Sequence, residues 1–91
     1  MKECIDVPAI MKRLNRIEGQ VRGIARMIEN DKPCEDILIQ IGSIKAALHK
    51  AGQLVLEGHM YHCVREGIKN NSDDTAMKNL LKALNQFAKT I

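Results

Sequence analysis

Cys34, His59 and Cys63 carry the softest donor atoms in the 91-residue sequence, two thiols and an imidazole. His59 and Cys63 close the two ends of the stretch HMYHC. Four residues apart, they lie one turn above each other on an α-helix, close enough to share one metal ion. Two ligands make half a site. Cys34 lies well upstream, and on one continuous helix its backbone would stand roughly 37 Å from that of His59. A single chain therefore cannot close the site. Two copies of the helix packed antiparallel can, because pairing Cys34 with a point between His59 and Cys63 puts the two-fold axis near Ala47 and Leu48. There Gly42, Ser43, Ala46, Ala47, Ala51 and Gly52 keep the helix slim. The spacing predicts a homodimer with two equivalent intersubunit sites, each taking Cys34 from one chain and His59 and Cys63 from the other.

Two thiolates and an imidazole suit Cu(I) better than ions that prefer hard oxygen ligands. Zinc stays open, but a structural zinc site takes four protein ligands. The spare donors are His62, read as a solvent-facing or supporting residue beside the stripe, and Cys4, read as a free thiol in the N-terminal arm. His49 reads as a surface histidine. Taken singly, each cysteine reads better as a small buried hydrophobe than as a ligand, and three cysteines, an odd number, argue against a disulfide framework.

The elements that must position these residues are helical. Ile10, Leu14, Ile17, Val21, Ile24 and Ile28 alternate spacings of four and three, the seam of an amphipathic helix. Gly19 and Gly23 interrupt it at a cost of about 1 kcal/mol each, which suggests close approach by a neighbouring helix. A second helix is expected from Asp31, with Pro33 in its first turn and Glu35 and Asp36 complementing its positive end. Its seam runs through Ile37, Ile41, Ile44, Leu48, Ala51 and Val55. Continued at both ends, the seam takes in Cys34, His59 and Cys63, so all three candidate ligands are expected on the buried stripe. The loop NNSDD at 70–74 offers an N-cap, and Met77, Leu80, Leu81, Leu84 and Phe87 mark a third helix.

Composition agrees. Aromatics make up 2% of the chain, so an aliphatic core of packed helices is favoured over a sheet sandwich. The length suits a single domain over 1–91 that gains from oligomerising. No apolar run matches a signal peptide or a membrane span, which predicts a cytoplasmic protein without a membrane partner. With 14 Lys and Arg against 11 Asp and Glu, the formal charge of +3 is compatible with a polyanionic partner.

The run RLNRIEGQVRGI (13–24), the segment CEDILIQI (34–41) and the His59/Cys63 pair together resemble the CsoR/RcnR family of bacterial metal-sensing transcriptional repressors, over nearly the whole chain. A Cys at the start of the second helix with a later His-x-x-x-Cys is the pattern of that family's copper(I) sensors. The resemblance implies an all-α chain of three helices, an antiparallel dimer and a dimer-of-dimers tetramer. It also implies a metal-free form that binds operator DNA and a Cu(I) form that releases it, switching on copper efflux genes. Nickel and cobalt sensors of the family carry more His, and persulfide sensors lack the histidine. Two positions depart from the copper pattern. Pro33 and Asn79 stand where copper sensors often have Tyr and Glu supporting the metal-bound histidine, so the wiring between metal and DNA is expected to differ here.

No compact DNA-reading signature is present, so DNA must be held by basic patches on long helices. Lys12, Arg13 and Arg16 cluster early in the first helix, Arg22 and Arg26 continue around it, and Lys45 and Lys50 project from the second. In the family, the positions of Arg13 and Lys50 belong to the DNA surface. The bland alternative is a solvated face balanced by Glu18 and Glu29. A copper-buffering protein without a DNA role is the rival function. The aromatic-poor chain suggests no large substrate pocket, so an enzyme is not expected.

Overall fold

The computed structural model describes residues 5–64 and 73–89, excepting the side chains of 62–64, 73, 74 and 76. Helix α1 spans Val7–Glu29 and α2 spans Cys34–Gly58; a π-helical segment follows over His59–Val64, and α3 spans Asp73–Ala88. The described residues contain no strand. The fold is all-α, as expected. No described helix is long and apolar enough to cross a membrane.

Residues Val7–Leu54 form one compact unit, a helical hairpin. Pro8 sits in the first turn of α1, where its missing N–H costs nothing. At the far end Asp31 takes the left-handed conformation, with φ of 55°. Its N–H donates to the Ile28 carbonyl at 3.1 Å, and the Lys32 N–H donates to the Met27 carbonyl at 3.0 Å. This crossed pair is a Schellman cap, which satisfies carbonyls that the helix end would otherwise leave open. Asp31 is thereby committed to ending α1 and does not start α2. The second helix opens instead on Pro33, whose carbonyl accepts from the N–H groups of Asp36 and Ile37 at 3.1 and 3.2 Å.

In a hairpin, positions equidistant from the turn stand level, which matches Ile10 with Ala51 and Ile17 with Ile44. These four are the buried residues of α1 and α2. Each seam splits in two. On α1, Ile17 is 6% exposed whereas Val21, one turn along the same seam, is 52% exposed. On α2, Ile44 is 8% and Leu48 48% exposed. Two outer rows at heptad spacing result, Leu14, Val21 and Ile28 on α1 and Ile41 and Leu48 on α2. The inner rows fill the hairpin; the outer rows are the pattern of a helix that meets a further helix.

The chain from Val55 onward belongs to a second compact unit, in which α3 packs against the π-helical segment. Leu80 is its buried anchor, with Leu84 and Phe87 half-buried along the same stripe; Met77 and Leu81 face outward.

Candidate functional site

Cys34 is the first residue of α2, and it is an exposed free thiol. The expectation that it lies on the buried stripe is corrected: it continues the outer row of Ile41 and Leu48 at seven-residue spacing, not the inner row of Ile37 and Ile44. At the other end of α2, His59 begins the π-helical segment directly after Gly58. Its ring is half-buried, and its Nδ1 is fully buried with no hydrogen-bond partner. Cys63 belongs to the same segment; its side chain and that of His62 lie outside the described residues, as does Cys4.

The π geometry changes the argument that made His59 and Cys63 neighbours. Bonds from i to i+5 put more than four residues in a turn, so the α-helical rule for residues four apart does not apply here. The α2 register does not continue through the segment. Among the described residues no three His, Cys, Asp or Glu side chains converge as a metal site.

Lys12, Arg13, Arg16, Lys45 and Lys50 are all exposed. Lys12 and Arg16 share a face of α1. Lys45 and Lys50, five residues apart, point about 140° away from each other around α2, so they do not form one patch. Arg22 donates to the Glu18 carboxylate at 2.9 Å in an exposed pair one turn apart. His49 is half-buried, not a plain surface residue.

The chain matches the model of a family described as metal-sensitive transcriptional repressors over residues 3–86. It belongs to that family. The copper-sensing transcriptional repressor CsoR of Bacillus subtilis is 46% identical over 89% of this chain and 80% of its own length. Among solved structures, the copper-sensing repressor CsoR with Cu(I) from Geobacillus thermodenitrificans superposes with a TM-score of 0.88 at 46% identity, covering 90% of this chain and 85% of that one. The nickel-responsive transcriptional regulator InrS matches with a TM-score of 0.79 at 30% identity, covering 90% of this chain and 92% of that one.

For this metal-sensitive repressor, sequence reasoning missed the π-helical segment that carries His59 and Cys63. The one local signal is Gly58, a weak helix former immediately before His59. It also missed which half of each seam faces inward, because both halves are aliphatic and only packing separates them. The glycines gave a third surprise. Among the described residues nothing beyond the local helix backbone lies within 4 Å of a Cβ placed on Gly23 or Gly42, and Gly19 would meet only the Arg22 guanidinium at 3.8 Å. The neighbouring helix they were expected to admit is not α2 of the same chain.

Proposed function

We propose that the chain is a cytoplasmic copper(I)-responsive repressor that holds operator DNA when metal-free and releases it on Cu(I) binding, so that copper efflux genes are expressed. The observation that carries the metal reading is the buried, unpartnered Nδ1 of His59. Leaving such an atom unsatisfied costs about 1–3 kcal/mol, and ligation through its lone pair removes that cost. The nitrogen therefore fits a metal ligand.

Cys34 of one protomer with His59 and Cys63 of its partner make the donor set. Exposure of Cys34 in line with Ile41 and Leu48 supports this: a second copy that covers the apolar row also covers the thiol. The outer row of α1 provides a further face on which dimers pair into a tetramer. When bound, Cu(I) supplies a thiolate-preferring cross-link between protomers. Lys12, Arg13, Arg16, Lys45 and Lys50 meet DNA phosphates, with affinity that falls steeply as salt rises. The likeness to InrS supports a second reading, a nickel sensor, against which two thiolates and one imidazole favour Cu(I).

X-ray absorption of the Cu(I)-loaded protein should show two sulfur ligands and one nitrogen; a spectrum without sulfur would reject the assignment. Mixing Cys34→Ala chains with Cys63→Ala chains should restore one intact site per heterodimer, and a mixture that binds no better than either variant would reject the intersubunit arrangement. A gel shift on the gene's own upstream duplex, lost when Cu(I) is added, separates the repressor from a copper-buffering protein.

A further inference from the structure

At 100° per residue, Arg22, Arg26, Lys12 and Arg16 fall in that order within an arc of roughly 120° on α1, on the side opposite the buried Ile17. All four are exposed. No carboxylate lies inside the arc; Glu18 and Glu29 flank one edge. Gly19 and Gly23, both half-buried, lie within it, and among the described residues only the Arg22 guanidinium, at 3.8 Å from Gly19, stands within 4 Å of a Cβ placed on either. Along the axis, Lys12 to Arg26 spans about 21 Å, the length of roughly six base pairs at 3.4 Å each.

We propose that the DNA surface includes this whole stripe of α1, not only its first turns, with Arg22 and Arg26 as further phosphate contacts and with Gly23 admitting the sugar-phosphate backbone close to the helix. The inference rests on the repressor reading and extends it. An isolated solvated face would gain helix stability from Ala or Leu at Gly19 and Gly23. Small residues between four cations instead let a polyanion lie against the helix backbone with all four side chains able to reach it. The Glu18 pair holds Arg22 at the edge of the stripe, and exposed pairs of this kind are weak, so a phosphate can take Arg22 from Glu18.

The test is fluorescence anisotropy of metal-free protein on a labelled duplex from the gene's own upstream region, at several salt concentrations. Arg26→Ala should weaken binding several-fold and reduce the slope of log affinity against log salt by about one. Gly23→Leu should lower affinity about ten-fold or more while the melting temperature stays level or rises, since Leu is the better helix former. Wild-type binding with affinity and slope unchanged in both variants overturns the extended stripe and leaves the repressor reading standing. Absence of wild-type binding overturns both. Altered sedimentation of Gly23→Leu together with weaker binding would assign this face to a second copy, and it too overturns the proposal.

Discussion

The two compact units solve the same problem, terminating and packing a helix, in opposite ways. In Val7–Leu54 the helix ends follow local rules, with aliphatic rows at heptad spacing, Pro8 in a first turn, Arg26 in a last turn and a Schellman cap at Asp31; the exception is the buried Gln20 Oε1, which has no hydrogen-bond partner among the described residues. From Val55 onward, α2 gives way to a π-helical segment that holds a buried ring nitrogen with no partner. Unsatisfied polar atoms and π geometry both cost stability, and proteins tend to keep them at functional sites. Among the described residues each unit thus holds one orphan atom, but only the second pairs it with π geometry, and only its orphan is an imidazole nitrogen of the type that soft metals take.

The largest expected effect breaks the hairpin. Ile17→Ala and Ile44→Ala remove inner-row side chains and should each cost about 2–5 kcal/mol, read as a lower denaturation midpoint. Leu14→Ala and Leu48→Ala remove outer-row side chains and should act through association: their melting temperature falls most in dilute solution, because a partner that binds only the folded chain stabilises it by mass action. If wild-type and outer-row melting were both independent of protein concentration, the outer rows would not be an interface between copies.

That contrast also shows what the sequence carries. Helix identity and number were legible, because spacings of four and three over twenty residues fit nothing else. The family was legible too, because the run at 13–24, the segment at 34–41 and the His59/Cys63 pair together carry its pattern, and the family model matches over residues 3–86. The inner and outer rows were not, since Leu14 and Ile17 differ in no chemical property that sorts them. The start of α2 was misread for a related reason. Asp31 is a good N-cap by type, but it is also among the few residues that tolerate a left-handed C-cap, and the chain uses it there. The π segment was hidden because an apolar pattern of fours and threes reads through it unchanged.

The next effect tests whether the second unit communicates with the first. Copper and operator should oppose each other by about 1–3 kcal/mol, and by reciprocity each should weaken the other by the same factor. With Pro33 and Asn79 at the places where the family resemblance would put Tyr and Glu, His59 is expected to carry the coupling with less support. His59→Ala should retain copper on two thiolates yet lose most of the mutual effect. Copper affinity measured with and without operator at fixed salt decides: equal wild-type values would leave the buffering protein as the better reading.

The smallest effect sharpens the hairpin side of the comparison. Asp31 has φ of 55°, a conformation costing most L-residues about 1–2 kcal/mol, Asp rather less and Gly nothing. Asp31→Gly removes that strain, and it removes a negative charge beside the negative end of α1, an end that favours cations. Two terms oppose the gain. Glycine adds conformational freedom to the unfolded chain, worth about 0.4–1 kcal/mol, and the lost charge also stood near the positive end of α2. The balance should be a stabilisation of about 0.5 kcal/mol, seen as a melting temperature higher by a few degrees. Asp31→Asn isolates the charge at nearly constant shape, and Asp31→Val, β-branched and hostile to positive φ, should destabilise by more than Gly stabilises. A Val variant as stable as wild type would mean that α1 does not end on this cap and that the hairpin owes its regularity to the inner rows alone.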